Sequence, residues 1–369
     1  MTSAEPLTSP LHARHVALGA KLADFGGWQM PIEYPGGGVL REHAAVRERV
    51  GIFDVSHLGK ARVSGSAAVD FVNACFTNDL SKIGPGQAQY TMCCDEQTGG
   101  VVDDLIQYYV ADDDIFLIPN AANTAEVVRR LQAKAPEGVQ VRDLQHDYAI
   151  IAVQGPKGPQ VVEALGLPTD LGYMSFAQVD RDGSPVIVCR TGYTGERGFE
   201  LVVPTGDALA VWDELIAAMA PFEGLPCGLG ARDTLRTEMG YALHGNELGL
   251  HITPNMARAG WAVGWDKPSF WGKAVLAEQR AAKTCRLSWG LLVDGRGIPR
   301  KDNVVKNSQG THIGVVTSGT MSPTLRKGIG LCLLDRGAKA GDAVVVDVRG
   351  RDVAATVTKP PFVQAGVAS

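Results

Sequence analysis

The stretch from residue 99 to residue 120 constrains the fold of this chain more than any other. It opens with Gly99 and Gly100, which suit a tight turn, and continues as a β-branched and aromatic run at residues 101–110. A polar turn at residues 111–114 separates this run from a second apolar run at residues 115–118. The pattern predicts a β-hairpin.

Two acidic residues, Asp103 and Asp104, stand at the head of the first strand of that hairpin. Because successive strand side chains point to opposite faces, we expect only one of them to enter any given pocket. The other would be solvated or structural. Since acidic residues are mostly exposed, two surface carboxylates beside a turn are the simplest interpretation of the pattern alone.

Length and composition limit the classes of protein to which the chain can belong. Its 369 residues predict two or three domains, and 45% hydrophobic with 20% charged residues is typical of a globular protein. A formal net charge of −5 argues against a nucleic-acid-binding surface. No apolar run is long enough to span a membrane, and residues 1–10 lack the apolar region of a signal peptide.

The cysteines and histidines show no metal-binding or disulfide pattern. The seven cysteines are scattered without a C-x-x-C pair, and the eight histidines show no H-x-x-x-H spacing. This distribution favours reduced, buried thiols and predicts no metal site.

A second hairpin is predicted at residues 185–204. Its loop, at residues 191–198, carries glycine at every third position, and Tyr193 lies at the apex. Glu200 lies in the returning strand, on the face opposite its apolar neighbours, where a carboxylate requires a partner or a ligand.

Hydrophobic spacing predicts several helices around these hairpins. They are expected at residues 39–50, 67–75, 207–219 and 231–239, and from a cap at residues 120–124 to Lys134. Arg232 falls in the first turn of its helix, where the helix dipole disfavours a cation, and this hints at another role. One strand is predicted through residues 51–65; it contains His57, for which a hydrogen-bonded scaffold role is more common than catalysis.

From Lys283 the pattern changes to short β runs separated by turns. These runs lie at residues 287–293, 311–317, 328–334, 343–348 and 354–359. Their spacing is typical of a small barrel or sandwich. We therefore divide the chain into residues 1–282 and residues 283–369.

Taken alone, the acids, aromatics and single arginine on these hairpins indicate proton handling on a flat, nitrogen-rich ligand. The order of the motifs is more specific, because it resembles the T-protein, or aminomethyltransferase, family of the glycine cleavage system. The similar segments are residues 25–31, 50–57, 99–105, 120–123, 190–196, 228–233, 317–324 and 359–362.

The resemblance implies an α+β fold, in which a folate-binding body of two interleaved α+β lobes precedes a C-terminal β-barrel domain. It implies a cytoplasmic transferase that acts on an aminomethyl group carried by the dihydrolipoyl arm of H-protein. Tetrahydrofolate would accept the methylene carbon, giving 5,10-methylenetetrahydrofolate and ammonia. The lipoyl group belongs to the partner, and no metal, nucleic acid or membrane is implied.

The same resemblance assigns roles to individual residues. The essential aspartate of the family corresponds to Asp104, the pterin-binding glutamate to Glu200, and the neighbouring tyrosine and arginine to Tyr193 and Arg232. The remaining predicted folate-pocket residues are Tyr90, Tyr108 and Asn120. The chain departs from the family pattern at Met174 and in lacking an acidic residue shortly before Trp261.

Two alternatives use the same scaffold. One is a folate-dependent demethylase of a small methylated amine or sulfonium compound, although the chain carries no attached flavin domain. The other is a non-catalytic folate-binding protein of iron–sulfur cluster assembly, whose Lys-Gly-Cys-Tyr-x-Gly-Gln signature is missing here. A general interaction protein would leave the paired hairpin motifs unexplained.

Overall fold

The computed structural model describes residues 5–364, 366 and 367. Within these residues three open sheets precede a closed barrel. The helices are α1 (His12–Ala17), α2 (Gly38–Glu48), α3 (Ala68–Cys75), α4 (Thr124–Lys134), α5 (Gly158–Ala164), α6 (Ala208–Met219), α7 (Leu229–Met239) and α8 (Lys273–Ala282). None of the helices in the described part of the chain is long and apolar enough to cross a membrane.

The strands of the body form three sheets. The smallest contains β1 (Leu7–Thr8), β2 (Lys21–Phe25) and β3 (Trp28–Glu33). A five-stranded sheet contains β5 (Ala61–Ser64), β6 (Gln87–Cys94), β7 (Val101–Ala111), β8 (Asp114–Ile118) and β9 (Gln140–Asp143). A six-stranded sheet contains β4 (Gly51–Asp54), β10 (Tyr148–Gln154), β11 (Phe176–Arg181), β12 (Ser184–Cys189), β13 (Gly198–Pro204) and β14 (Leu225–Pro226).

The two larger sheets are interleaved along the chain. The chain leaves the six-stranded sheet after β4, builds the whole five-stranded sheet with β5 to β9, and returns with β10. The strand orders are β6-β7-β8-β5-β9 and β11-β12-β13-β10-β4-β14. Two lobes therefore share one continuous body.

Side-chain alternation along the strands separates the cores of the body. In the six-stranded sheet, Ile52 and Ile151 face the helices α5 and α6. The adjacent Phe53 and Ile150 face the other way and pack with Tyr108 of the five-stranded sheet. The opposite face of the five-stranded sheet is covered by α3 and α4. Sheet faces are thus buried against each other, with helices outside.

The C-terminal strands close into a six-stranded barrel, so the barrel rather than the sandwich is correct. Its strands, in the order β15-β18-β17-β16-β19-β20, are β15 (Leu287–Val293), β16 (Val304–Asn307), β17 (His312–Ser322), β18 (Lys327–Leu334), β19 (Ala343–Val348) and β20 (Arg351–Thr358). The sequence pattern missed β16, which contains only two apolar residues followed by polar ones.

Helix α7 joins the barrel to the body. Glu238 is fully buried and accepts hydrogen bonds from the Oγ of Ser322 (2.5 Å) and the Oγ1 of Thr324 (3.0 Å) in the barrel domain. Two residues earlier, Arg236 binds the carboxylate of Glu247 (2.9 Å) and the Oγ of Ser318 (2.9 Å). The two domains are therefore held by buried charged groups.

Two local predictions are wrong. The predicted strand at residues 51–65 is two strands in different sheets, because a turn follows Asp54, where the N–H of Leu58 donates to the carbonyl of Val55 (3.0 Å). The predicted side-chain cap of α4 does not form: Asn123 occupies the N-cap position without capping, since its amide binds a buried carboxylate instead.

Candidate active site

The centre of the candidate site is Asp104 on β7, which is partly exposed. The hydroxyl of Tyr90, on the neighbouring strand β6, donates to Oδ2 of Asp104 (3.0 Å). The side-chain amide of Asn120, just beyond β8, donates to Oδ1 (3.0 Å). Each carboxylate oxygen thus has one donor: the pairing of β6 with β7 places Tyr90, and the hairpin predicted from the sequence places Asn120.

Asp103 has a different environment, because its side chain is completely buried. Its carboxylate accepts hydrogen bonds from the backbone N–H of Asn120 (2.9 Å), from the amide of Asn120 (3.0 Å) and from the amide of Asn123 (2.7 Å). Three donors and no exposure make Asp103 a structural residue that fixes the turn after β8.

The interpretation of the two acids as surface groups is therefore wrong, and their predicted separation is only partly right. Asp104 is accessible and Asp103 is not, but both carboxylates bind the same Nδ2 atom of Asn120. The register of β6 and β7 shifts here, so that Cys93 pairs with Asp103 while Cys94 pairs with Val101. The unpaired residue is Val102, whereas Asp103 and Asp104 pair in regular register with Cys93 and Met92. The two carboxylates are connected by the amide of Asn120, which reaches both of them.

Burial raises the pKa of the Asp104 carboxyl above its ordinary value, against the opposing hydrogen bond from Tyr90. Burial and the adjacent charge of Asp104 raise the pKa of Asp103 well above the ordinary value of an aspartate, although the donors on Asn120 and Asn123 oppose this. Two carboxyls that share one amide titrate as a pair. The pair therefore retains a proton to higher pH than an exposed aspartate does.

A second wall of the site consists of Tyr193 and Arg232. The hydroxyl of Tyr193 donates to the carbonyl of Ala242, and its ring stacks on Tyr241 with centroids 5.7 Å apart. The guanidinium of Arg232 lies over the ring of Tyr193, 4.7 Å from its centroid. Its Nη1 atom is buried and has no hydrogen-bond partner among the described residues. Burial lowers the pKa of Arg232, while the charge of Glu200 opposes this.

Glu200 lies on β13 and is only 8% exposed. Its Oε2 accepts a hydrogen bond from the Oγ1 of Thr191 (2.6 Å), which is its only hydrogen bond within the described part of the chain. The hydroxyl of Tyr108 is 3.5 Å from the same Thr191 atom. Tyr108 is 1% exposed, so it supports this wall from behind and does not line an open pocket as predicted.

The two groups of residues form one site. Burial raises the pKa of Tyr193, and the charge of Asp104 adds to this effect. Burial also raises the pKa of Tyr90, with smaller contributions from Asp104 and Tyr193. Tyr90 therefore interacts with both Asp104 and Tyr193, and the guanidinium of Arg232 lies over the ring of Tyr193.

Residues 240–262, which we call the covering segment, contact the side chains of the site. Trp261 is 72% exposed and stacks on Tyr90, with ring centroids 5.2 Å apart. His244 contacts Asn123 (3.0 Å), and the carbonyl of Ala242 binds Tyr193 as described. The segment is fixed to the hairpin by a bond from the N–H of Val101 to the carbonyl of Gly249 (2.9 Å).

Comparison with known proteins decides the family. The model described as the GCVT N-terminal domain matches residues 11–267, and the model of the glycine cleavage T-protein C-terminal barrel domain matches residues 286–364. An aminomethyltransferase of Parafrankia sp. (strain EAN1pec) is 65% identical over 357 residues, 97% of this chain and 98% of that protein. The chain belongs to the glycine cleavage T-protein family.

Further relatives agree with this assignment. An aminomethyltransferase of Mycobacterium bovis (strain ATCC BAA-935 / AF2122/97) is 56% identical over 361 residues, 97% of each chain. The crystal structure of glycine cleavage system aminomethyltransferase T from Bartonella henselae has a TM-score of 0.91 at 34% identity, covering 97% of this chain and 98% of that chain. The family resemblance, the α+β fold with its terminal barrel and the transferase function are confirmed, and neither alternative function is favoured.

In this aminomethyltransferase, His57 is buried, but its Nδ1 has no hydrogen-bond partner among the described residues, so the expected hydrogen bonding of this ring nitrogen is not observed. It is 2% exposed and packs edge-to-face on Phe25, with centroids 5.4 Å apart. Burial lowers the pKa of His57 to about 3, against the charge of Asp54. The ring is therefore neutral at pH 7. Within the described residues, no group of three His, Cys, Asp or Glu side chains is arranged to hold a metal, and all seven cysteines are free.

Sequence reasoning missed the roles of Asn123, His244, Thr191 and Trp261 in the site. Asn123 had a detectable signal, since it follows Asn120 by three residues and lies on the same side of the 3₁₀ turn Ala121–Asn123. His244 and Trp261 had none, because they reach the hairpin from more than a hundred residues away.

Proposed function

We propose that this enzyme transfers the methylene carbon of an aminomethyl group, carried by the dihydrolipoyl arm of cytoplasmic H-protein, to tetrahydrofolate. The products are 5,10-methylenetetrahydrofolate, ammonia and reduced lipoyl H-protein. The main support is the accessible Asp104 carboxylate, held by Tyr90 and Asn120, together with the guanidinium of Arg232, which lies over Tyr193 with its Nη1 unpartnered.

The second wall suits the pterin ring of a folate. Glu200 has one hydrogen bond within the described residues, so it retains acceptor capacity for the paired N–H groups of an aminopyrimidine edge. A nearly buried carboxylate without a charged partner is costly, and such a ligand would offset that cost. The Nη1 of Arg232, which lacks a partner, can donate to an acceptor on the same ligand. The ring of Tyr193 offers a flat apolar contact.

Asp104 acts on the reacting nitrogen. Bound tetrahydrofolate supplies the amine that accepts the carbon, and positive charge develops as ammonia leaves. We assign to ionised Asp104 the stabilisation of this charge, with Tyr90 and Asn120 holding the carboxylate in position. Assistance of this kind contributes about 10²–10⁴-fold to a rate. Placing the folate beside the lipoyl arm supplies the remaining acceleration by proximity.

We further propose that residues 1–282 form the folate-binding body and residues 283–369 a separate barrel domain. Helix α8 ends at Ala282, and the first barrel strand begins at Leu287, which supports a boundary between them. Tyr108 is a supporting residue in this proposal: its hydroxyl lies beside Thr191, which binds Glu200.

A reconstituted assay tests the function. The full-length enzyme is mixed with H-protein bearing an aminomethylated lipoyl arm and with tetrahydrofolate, and ammonia and methylenetetrahydrofolate are measured together. Equal formation of both products is expected. H-protein lacking the lipoyl group is the control and should give neither. Absence of turnover with partners that are active with a second T-protein would refute the proposal.

A further inference from the structure

His244, in the covering segment, bridges two parts of the hairpin that carries the aspartate pair. Its Nε2 lies 3.1 Å from the carbonyl oxygen of Val101, and its Nδ1 lies 3.0 Å from the Nδ2 of Asn123. It is half-buried and has no contact with Asp104 within hydrogen-bond distance. Any effect of His244 on Asp104 must therefore pass through a neighbour or through its charge.

The hydrogen-bond partners define the tautomer of His244. A carbonyl oxygen can only accept, so Nε2 carries the proton that is donated to Val101. The orientation of the Asn123 amide is fixed by Asp103, because the opposite orientation would place two oxygens against each other. Its Nδ2 is therefore the donor toward His244, and Nδ1 must present a lone pair. The imidazole is neutral in this arrangement.

The acceptor on His244 begins a continuous chain of hydrogen bonds to the site. The amide of Asn123 donates one hydrogen to His244 and the other to Asp103 (2.7 Å). Asp103 in turn binds the backbone and side-chain nitrogens of Asn120, whose amide also binds Asp104 (3.0 Å). With the His244 acceptor removed, the Asn123 amide keeps its bond to Asp103 but loses its second partner, so this donor to Asp103 is held less firmly.

We propose that His244 is a positioning residue for aminomethyl transfer: the lone pair on its Nδ1 orients Asn123 and thereby the Asp103–Asn120 pair that holds Asp104. The inference rests on the proposed function, because it concerns the geometry of the residue assigned to the reaction. The competing explanation is that His244 only fastens the covering segment to the hairpin through Val101.

Two substitutions separate these explanations because each retains one half of the imidazole. In His244→Asn the side-chain oxygen can occupy the position of Nδ1 and accept from Asn123, while the donor to Val101 is lost. In His244→Gln the amide nitrogen can occupy the position of Nε2 and donate to Val101, while the acceptor for Asn123 is lost. His251, an exposed residue of the same segment, provides a matched control as His251→Gln.

In the reconstituted assay, His244→Gln is expected to lower kcat by about 3- to 10-fold, the effect of losing one hydrogen bond, with the KM for tetrahydrofolate changed less than kcat. His244→Asn should keep most of the activity, and His251→Gln should match the wild type. In an Asn123→Leu background, the His244→Gln substitution should have no further effect, because the connection is already broken. Thermal unfolding of each variant verifies that it is folded.

The opposite order, with His244→Asn impaired and His244→Gln active, would overturn the proposal in favour of a fastening role. Equal activity of both variants and the wild type would also overturn it while leaving the proposed function intact. A wild type without turnover would instead refute the function. In that case, carboxyl ¹³C NMR decides the inference: because both variants lack the charge of the imidazole, the titration of the aspartate pair must differ between His244→Gln and His244→Asn, and identical titrations would overturn it.

Discussion

Replacing each member of the aspartate pair by asparagine should separate the stability of the site from its chemistry. Asp103 is fully buried and accepts three hydrogen bonds from N–H groups. Asp104 is partly exposed and accepts two hydrogen bonds, one from the hydroxyl of Tyr90 and one from the amide of Asn120. Asparagine has nearly the same shape as aspartate but only one acceptor oxygen. The same substitution should therefore reduce mainly the folding stability at Asp103 and mainly the catalytic rate at Asp104.

In Asp103→Asn, the remaining oxygen can keep the amides of Asn120 and Asn123, but the new NH₂ group then faces the backbone N–H of Asn120. One charge-assisted bond is lost, and a buried donor is left unpaired. The free energy of unfolding should fall by about 2–3 kcal/mol. The value of kcat should fall by no more than about 10-fold, because Asp104 itself is retained.

In Asp104→Asn, the desolvation cost that raises the pKa of this carboxyl disappears with the charge. The free energy of unfolding should change by less than about 1 kcal/mol. Loss of the ionised group should lower kcat by about 10²–10⁴-fold. Urea denaturation followed by circular dichroism gives the stabilities, and the reconstituted assay gives kcat. Equal kcat losses in two folded variants, or a larger stability loss for Asp104→Asn, would refute the distinct roles.

Three other substitutions test the surroundings. Glu200→Gln should raise the Kd for tetrahydrofolate by about 10-fold in calorimetry, since a charge-assisted contact is weakened; unchanged affinity would exclude Glu200 from the pterin contact. Tyr90→Phe removes a donor that lowers the pKa of Asp104, so the acidic limb of the kcat–pH profile should move to higher pH rather than stay in place. Burial opposes ionisation of Glu238, but the hydrogen bond from His43 and other polar contacts outweigh it and hold its pKa at about 2. Because its pKa is lowered on folding, ionised Glu238 stabilises the fold fully at pH values above its ordinary pKa of 4.5. This stabilisation is lost as the pH falls through about 2. Glu238→Gln should therefore cost roughly 3 kcal/mol at pH 7 in urea denaturation, and its difference from the wild type should vanish at low pH; a difference independent of pH would contradict the assignment.

Local sequence patterns were sufficient to predict the two strands of the hairpin that carries Asp103 and Asp104. The turn chemistry of Gly99 and Gly100 and the β-branched run after them predicted β7 and β8, because both signals lie within adjacent residues. Gly99 adopts a left-handed conformation (φ +70°), and a Cβ on Gly100 would lie 2.0 Å from the carbonyl oxygen of Leu250. The need for glycine at residue 99 can be anticipated from the sequence, because a tight turn requires it. The need for glycine at residue 100 depends on a contact between distant segments.

The details of the site could not be predicted because they depend on tertiary contacts. Nothing in the residue types indicates that the amide of Asn120 reaches the carboxylates of both Asp103 and Asp104. The asparagine motif at residues 120–123 is typical of a helix cap, and its tertiary use as a donor set for Asp103 overrides that preference. Burial of Tyr108 likewise follows from the packing of one sheet on the other.

The barrel contributes none of the residues described in the site, yet the geometry of the site depends on it through α7. The first turn of this 11-residue helix carries Arg232, and its last turn carries Glu238, which is bound by Ser322 and Thr324 of the barrel domain. A helix of this length transmits a displacement at one end to the other, about 16 Å away, because its backbone hydrogen bonds resist bending. The Nη1 atom of Arg232 has no hydrogen-bond partner among the described residues. Its position over Tyr193 therefore depends on where the barrel and the body hold the helix.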